Sequence, residues 1–325
     1  MPHMPARVTK GASPGRSRKS RFMQAPSWHA DTAAAPPDSI TTRHIIPWRW
    51  QRHVIGIATE TIGEGHPVLM LPAFSTISTM DEMRPLARRL AADGYACTLI
   101  DWPGFGASSR ARLHYSPAFY HACLAFLADR LLPVDGECSI LAAGHAAGYA
   151  LACAADRPWV KRLVLLAPTW QGPLKVMGMR PAFRAAIRTL IRAPGIGQIL
   201  YHLNTHHRVI GAMMRRHVYD ETITNARISA KQAVARQPGA RYASASFVTG
   251  GLDPVATRDA FRAMLDRFGG RALILCGDAT PPRSRSDMQA VEPTPSRMVL
   301  WSKGALAMHE EHAATLSPHI VAFLG

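Results

Sequence analysis

Short apolar runs alternate along this chain with longer segments in which apolar residues recur at every third or fourth position. The short runs predict strands at residues 53–60, 68–71, 96–100, 139–143, 161–166, 271–276 and 297–301. The longer spacing predicts helices at residues 80–93, 116–132, 146–156 and 309–324. Apolar strands that alternate with helices are typical of a doubly wound, mostly parallel α/β sheet.

The same pattern divides the chain into a tail, a core and an insertion. Residues 1–41 are rich in Pro, Ser, Ala and Arg and predict a flexible basic tail. Residues 42–169 and 256–325 contain the predicted strands and therefore form the core. Residues 170–255 are helical, rich in Arg, Met and His, and interrupted by Pro and Gly. We expect residues 170–255 to be a helical lid inserted into the α/β core.

Composition narrows the range of partners. The chain has 325 residues, of which 47% are hydrophobic, so it is long enough to bury a large core. A net charge of +16 suits nucleic acid, an anionic membrane or an acidic substrate. The arginines are spread along the whole chain without a nucleic-acid-binding motif, so we expect no nucleic-acid partner. No apolar run reaches the ~18 residues of a membrane-spanning helix, and the oligomeric state stays open.

Cysteine and histidine spacings argue against disulfides and metals. The five cysteines are widely spaced, without a C-x-x-C pair, and each falls in a predicted strand or helix. This pattern predicts buried, reduced thiols and a cytoplasmic protein. His202 and His206 have the one-turn spacing of two metal ligands, but no nearby cysteine or carboxylate completes a site. We therefore expect neither a metal nor another cofactor.

Four motifs follow one another in the order and spacing of the α/β-hydrolase fold superfamily. They are LMLPAF at 69–74, DWPGFGAS at 101–108, GHAAG at 144–148 and LVLLAP at 163–168. Over residues 50–325 the chain resembles this superfamily, which implies a core sheet with an inserted lid. The sequences at 71–79 and 304–311 are also similar to those of a branch of the superfamily found in cyanobacteria and plastids.

The resemblance implies a catalytic triad whose positions are altered in this chain. Family members carry a serine nucleophile in a G-x-S-x-G turn, and here the central residue is Ala146. The position of the family's acid is taken by Thr280, with Asp278 two residues early. The position of its base falls on Ala305 or Leu306. All three positions change together, so the resemblance implies a branch that lacks the Ser-Asp-His triad.

The rest of the family's machinery would reside in the backbone. The resemblance assigns two oxyanion-hole donors to the amides of Phe74 and Ala147, which survive any change of side chain. Ser75, His145 and Asp101 are the candidates for replacement acid–base chemistry. Each also has a structural alternative: His145 packs against the sheet, Asp101 holds a neighbouring turn, and the hydroxyls before residue 80, Thr79 above all, cap a helix.

Aromatic and apolar residues complete the predicted site. We expect Trp102, Trp170 and Met213 to line a pocket for a small hydrophobic molecule. The lid residues expected to line the same pocket are Met177, Met179, Met213, Met214 and Phe183. His309 lies three to four residues after the expected base. It would reach the site only if the turn is rearranged, and we expect it instead to be a surface residue of the last helix.

Three functions are compatible with these observations. The first is an enzyme that acts on a small hydrophobic carbonyl or acyl compound without a serine nucleophile, as a lyase, cyclase, isomerase or non-covalent hydrolase. The second is a catalytically inactive pseudohydrolase that binds a ligand or a partner. The third is a serine esterase-like hydrolase whose nucleophile has been replaced by Ala146.

Overall fold

The computed structural model describes residues 41–133 and 135–325. The predicted basic tail lies outside these ranges apart from Thr41, where the first strand begins. The five cysteines are free and buried, as their placement in predicted strands and helices indicated. Within the described ranges, no helix is both long enough and apolar enough to cross a bilayer.

Eight strands form one sheet in the order β1-β2-β4-β3-β5-β6-β7-β8. The first two pair antiparallel, β2 pairs antiparallel with β4, and all later pairings are parallel. The strands are β1 Thr41–Trp50, β2 His53–Ile62, β3 His66–Leu71, β4 Tyr95–Ile100, β5 Cys138–Ala143, β6 Val160–Leu166, β7 Arg271–Gly277 and β8 Arg297–Ser302. The predicted mostly parallel α/β sheet is confirmed.

Helices connect the parallel strands, and a longer helical run separates β6 from β7. The helices are α1 Arg84–Ala92, α2 Pro117–Leu131, α3 Ala146–Ala155, α4 Pro173–Val176, α5 Pro181–Arg192, α6 Ile196–Asn204, α7 His207–Met213, α8 Asn225–Ala235, α9 Ala240–Val248, α10 Arg258–Arg267, α11 Pro282–Gln289, α12 Met308–Glu311 and α13 Ala313–Leu324. A 3₁₀ turn at Met80–Met83 precedes α1, and a π-helical turn at Met214–Val218 follows α7. We refer to residues 173–248 as the helical segment.

Local chemistry explains where these elements begin. Every residue of β5 is buried, as expected for a strand that is apolar apart from Ser139 and is covered on both faces. Ser116 accepts the Phe119 amide and so caps α2, and Pro117 occupies the first helical position, where its missing N–H leaves no bond unmade. Thr79 accepts the Asp81 amide at 3.2 Å, which confirms its predicted capping role.

The edge strand β1 is absent from the sequence prediction. Pro47 lies in the middle of this strand. Because proline has no N–H group to donate to a neighbouring strand, a sequence that contains it does not predict a strand. At the edge of the sheet, β1 needs only β2 as a partner. Trp48 then packs its indole against Phe119 and Phe126 of α2, with ring centroids 5.1 and 6.3 Å apart.

A second apolar cluster joins the helical segment to the core. It consists of Ile77, Ile210, Met214, Tyr219, Ile223, Ile228, Ala235 and Ala307. Ile77 belongs to the loop after β3 and Ala307 to the turn after β8, so residues 210–235 pack on the carboxyl ends of these strands. Ligand sites of parallel α/β sheets lie at this edge.

Candidate functional site

The glycine turn between β5 and α3 has the strand–turn–helix geometry that its sequence predicted. Gly144 has φ +50°, a left-handed conformation that glycine adopts without strain. A Cβ atom at this position would lie 3.1 Å from Cβ of Ala73, so glycine also allows the loop after β3 to approach closely. Ala146 begins α3, and both Ala146 and Ala147 are fully buried.

The two backbone amides expected to form an oxyanion hole differ in their surroundings. The Ala147 amide donates to the Gly144 carbonyl at 3.2 Å, which closes the first turn of α3. Within residues 41–133 and 135–325, the Phe74 amide has no hydrogen-bond acceptor. The Phe74 ring is held by stacking on Trp102, with centroids 4.6 Å apart, and by an edge contact with Tyr120 at 4.7 Å. The position of the Phe74 backbone is therefore well determined by packing.

His145 is buried beside this turn and has one satisfied and one unsatisfied ring nitrogen. Its Nε2 atom lies 3.1 Å from the Leu252 carbonyl oxygen and 3.4 Å from Oδ1 of Asp253. Both neighbours are acceptors, so Nε2 carries the hydrogen and a neutral ring keeps its lone pair on Nδ1. That Nδ1 atom is buried and has no partner among the described residues. Tyr149 donates to the same Leu252 carbonyl at 2.9 Å.

Asp253 contacts the Nε2 atom of His145 and so helps to fix the orientation of the ring. Burial would raise the pKa of Asp253, but hydrogen bonds and charge from His145 and Lys175, with a bond from the Gly172 amide, outweigh burial and lower it. Nζ of Lys175 lies 3.0 Å from Oδ2, and the Gly172 amide lies 2.8 Å from Oδ1. Asp253 is not among the predicted site residues, because no local motif marks a carboxylate that meets its histidine from more than a hundred residues away.

Asp101 lies at the end of β4, where both carboxylate oxygens are engaged. The amides of Met80 and Ala107 each donate to it at 2.6 Å. Burial raises the pKa of Asp101 to about 7, although these two hydrogen bonds oppose the increase. Gly106 has φ +51°, and a Cβ atom there would collide with the carboxylate. Asp101 therefore ties the loop after β4 to the 3₁₀ turn before α1.

The other predicted site residues occupy separate surroundings. Ser75 is half-buried, and its hydroxyl accepts the Ile77 amide at 3.4 Å. Trp102 is buried against Phe74 and donates from Nε1 to the Pro72 carbonyl. Trp170 is buried on Phe261 of α10, with ring centroids 4.4 Å apart.

Met213 is half-buried against the second apolar cluster, in which Met214 is fully buried. Met177 and Phe183 were expected to line an interior pocket, but they are 73% and 63% exposed. That part of the pocket prediction is wrong, because Met177 at the end of α4 and Phe183 on α5 both lie on the solvent side of the helical segment.

The ends of β7 and β8 bring Thr280 and Ala305 together. A Cβ atom on Gly277 would lie 2.9 Å from Oγ1 of Thr280 and 2.8 Å from the Ala305 carbonyl oxygen. Thr280 Oγ1 is buried without a hydrogen-bond partner among the described residues. Asp278 is exposed and accepts the Gly304 amide at 3.1 Å. The two positions that the resemblance assigned to acid and base thus adjoin, and neither carries an ionisable side chain.

His309 is 1% exposed, so the prediction of a surface position is wrong. Its Nε2 lies 3.4 Å from Oε1 of Glu82, and the same oxygen accepts the Ala73 amide at 2.8 Å. The residue is buried because α12 packs against the 3₁₀ turn and α1. Glu82 and His309 together support the loop that carries Phe74.

Glu310 is the centre of a buried ion cluster that the sequence did not indicate. Tyr219 donates to its carboxylate at 2.6 Å, Nζ of Lys231 lies at 3.1 Å, and Nη2 of Arg227 lies at 3.0 Å. These three partners belong to the helical segment, whereas Glu310 follows β8. The cluster therefore holds the helical segment on the core through the buried charges of Glu310 and Lys231, with the partly exposed Arg227 beside them.

The described residues contain no cluster of metal ligands, and one surface cavity lies away from the glycine turn. Among the described residues, no three His, Cys, Asp or Glu side chains converge as a metal site would require. His202 is exposed, and its ring nitrogen lies 2.7 Å from the Gln198 amide nitrogen. A surface cavity of about 300 Å³ lies at the amino ends of β6 and β7, the sheet edge opposite the glycine turn, and Lys161, Arg162 and Arg271 line it.

The sheet topology and the glycine turn between β5 and α3 agree with the family whose sequence model matches this chain. The chain belongs to the alpha/beta hydrolase family, whose sequence model matches residues 68–320. A comparison with curated protein sequences found no match.

Solved structures share the fold at low sequence identity. The chain is similar to a bromoperoxidase from Bacillus anthracis, with 15% identity, a TM-score of 0.64, and coverage of 88% of this chain and 99% of that one. It is similar to a thermophilic esterase from Thermogutta terrifontis, with 18% identity, a TM-score of 0.64, and coverage of 87% and 98%. A haloalkane dehalogenase from Agrobacterium tumefaciens C58 matches with 17% identity, a TM-score of 0.62, and coverage of 87% and 96%. These likenesses establish the fold and not the reaction.

Proposed function

We propose that this chain is an enzyme that acts on a small hydrophobic carbonyl or acyl compound without a serine nucleophile. In this proposal Ala146 stands at the nucleophile position, and Thr280 and Ala305 stand at the acid and base positions. A methyl group has no lone pair with which to attack a carbonyl carbon, so no acyl intermediate forms on residue 146. The remaining reaction classes are those of a lyase, a cyclase, an isomerase or a hydrolase that activates water directly.

The free Nδ1 atom of His145 is the observation that carries this proposal. The ring is fixed through Nε2 by the Leu252 carbonyl and Asp253, and its other nitrogen is buried and has no partner among the described residues. An imidazole oriented by a carboxylate is the arrangement that enzymes use for general-base catalysis. His145 also directly precedes Ala146, so its backbone belongs to the turn at which family members bind substrate.

The proposal assigns the charge that develops on the substrate oxygen to backbone amides. Phe74 supplies an amide that no acceptor among the described residues engages, and Ala147 supplies one that lies at the first turn of α3. A donor of this kind typically contributes ~3 kcal/mol to the stability of a transition state. Ser75 would hydrogen-bond the substrate, and Trp102 would provide apolar contact.

A pair of variants tests the role of His145. His145→Gln keeps an N–H donor for the Leu252 carbonyl and removes the basic nitrogen. Tyr149→Phe removes the other hydrogen bond to that carbonyl and keeps the base, so it is the matched control. The three purified proteins are incubated with a metabolite extract, and substrate loss is followed by mass spectrometry. We expect turnover by the wild type and by Tyr149→Phe, and a decrease of about 10²-fold or more in His145→Gln.

Equal turnover by the wild type and His145→Gln would refute the assignment of the base. A serine hydrolase that has only lost its nucleophile gives a different result. In that case Ala146→Ser alone restores labelling by a fluorophosphonate probe, whereas our proposal expects none because no base is aligned with residue 146.

The second candidate is a pseudohydrolase that binds its ligand unchanged. The complete burial of Ala146 and Ala147, beneath a loop whose Phe74 is packed in aromatic rings, favours this alternative. A ligand that raises the melting temperature in a thermal-shift assay and is recovered chemically intact from the protein would support binding alone. Conversion of that ligand, dependent on His145, would support the enzyme.

A further inference from the structure

Large apolar side chains are concentrated on one exposed part of the helical segment. Of the eleven exposed large apolar residues that the structure describes, seven fall between residues 177 and 209. They are Met177, Phe183, Leu190, Ile196, Ile199, Leu203 and Val209, and their exposed fractions range from 44% to 73%. Concentrations of exposed apolar side chains of this kind are typical of binding surfaces.

Helix α5 is amphipathic with its apolar side turned outward. It contains no buried residue, and Phe183 is 63% exposed. Its arginines face the protein instead. Arg184 donates to the Thr249 carbonyl and Arg192 donates to the Leu113 carbonyl, each at 2.8 Å. The arginines therefore help to anchor the helix to the protein, and Phe183 and Leu190 are left exposed for an external partner.

Helix α6 continues this surface. Ile196, Ile199 and Leu203 follow one another at helical spacing and are 55–63% exposed, while Tyr201 on the inner side is buried and donates to the Ala235 carbonyl. A connection of three residues, 193–195, makes α5 and α6 adjacent. We call the exposed side chains of these two helices, with Met177 and Val209 beside them, the apolar face.

Positive charge surrounds the apolar face. From residue 173 to Asp220 the helical segment contains eight lysines and arginines and no acidic residue before Asp220. Arg180, Arg208, Arg215 and Arg216 are exposed in this stretch, and none of the four forms an ion pair with another described residue. A surface that combines an apolar centre with unpaired cations matches the interface of an anionic bilayer.

We propose that the apolar face docks on the surface of a bilayer rich in anionic phospholipid. The exposed side chains of α5 and α6 enter the boundary between headgroups and acyl chains, and the surrounding arginines contact lipid phosphates. Charge argues against a second copy of the chain as the occupant, because two acid-free faces repel each other. Nucleic acid would satisfy the arginines but would leave the apolar centre in water.

Vesicle flotation tests this proposal. The full chain is mixed with phosphatidylcholine vesicles that contain about 30% phosphatidylglycerol, or none, at low and at high salt. We expect binding to the anionic vesicles alone and release at high salt, because the arginine contacts are screened. The triple variant Phe183→Ser/Ile199→Ser/Leu203→Ser is expected to bind at least tenfold more weakly.

A matched control keeps the outcome interpretable. Ile45→Ser/Val54→Ser removes two equally exposed apolar side chains, 57% and 62%, from the strands at the far edge of the sheet. We expect it to bind vesicles like the wild type, and circular dichroism checks that both variants are folded. Unchanged binding by the triple variant, or equal binding to neutral vesicles, would overturn the proposal. A dimer that the triple variant disrupts, or duplex DNA binding that it weakens, would assign the face to another partner and would also overturn it.

Discussion

Replacing Glu310 by glutamine tests the ion cluster that attaches the helical segment to the core. Glutamine keeps the length of the side chain and can still accept a hydrogen bond from Tyr219. It removes the only negative charge that lies within hydrogen-bonding distance of both Lys231 and Arg227 among the described residues. The side chain of Lys231 is 4% exposed, so water cannot replace the lost partner. Removing one member of a buried ion pair typically costs ~3–5 kcal/mol of folding free energy.

The pKa of Glu310 gives a second route to the same magnitude. Burial alone would raise this pKa, but the charges of Lys231 and Arg227, with the Tyr219 hydrogen bond, lower it from 4.5 to about 2. Each unit by which the pKa is lowered corresponds to ~1.4 kcal/mol. The lowered pKa therefore contributes roughly 3 kcal/mol to the free energy of unfolding near neutral pH. The two routes agree within the accuracy of either.

The lowered pKa also fixes the pH range in which this stability is present. It is complete above pH 4.5, the ordinary pKa of the carboxyl, and is lost as the pH falls to about 2, where the folded protein binds the proton. Glu310→Gln has no such proton to bind. The difference in unfolding free energy between wild type and variant should therefore be largest near neutral pH and should narrow progressively below pH 4.5.

Urea unfolding followed by circular dichroism measures this difference at several pH values. The control is Glu221→Gln, which removes a half-exposed carboxylate 3.3 Å from Lys303 and should change stability by less than ~1 kcal/mol. A loss below ~1 kcal/mol for Glu310→Gln, or a loss that stays the same at every pH, would refute our account of the cluster.

Two further stability predictions concern the glycine turn and the end of β7. Gly144→Ala should cost ~1–3 kcal/mol, because φ is +50° and the new Cβ atom meets Ala73 at 3.1 Å. Gly94→Ala is its control, since φ is +85° there and the new atom enters open space, so an equal loss would contradict the steric part of the argument. Thr280→Val should raise the free energy of unfolding by ~1 kcal/mol in the same assay, because the buried hydroxyl has no described partner. A decrease would mean that a bound molecule satisfies it.

The sequence predicted well those elements whose conformation is determined by their own residues. The runs at 68–71 and 140–143, which became most of β3 and β5, are apolar because parallel strands in this fold are covered on both faces. The turn at Gly144 was predictable because a sharp strand-to-helix connection needs glycine. In contrast, β1 contains Pro47 and has strand character only through its ladder with β2, which no window of its own sequence contains.

The candidate site was predictable only in part, for the same reason. His145 was identified from its place beside Ala146, but its role depends on Leu252 and Asp253, which reach it from the far end of the helical segment. His309 lies on a short helix whose pattern does not distinguish an exposed residue from one buried against Glu82.

The sequence by itself determined the order of the strands from β2 to β8, the family motifs and the absence of a nucleophilic atom at residue 146. Each of these depends on residues that are neighbours along the chain. Tertiary structure alone decided which polar groups meet and which side of α5 faces outward. Periodicity shows that a helix has two unlike sides, but the inner side is selected by what lies opposite. For α5 this is the pair of carbonyls at Leu113 and Thr249, which bind its arginines and leave Phe183 in solvent.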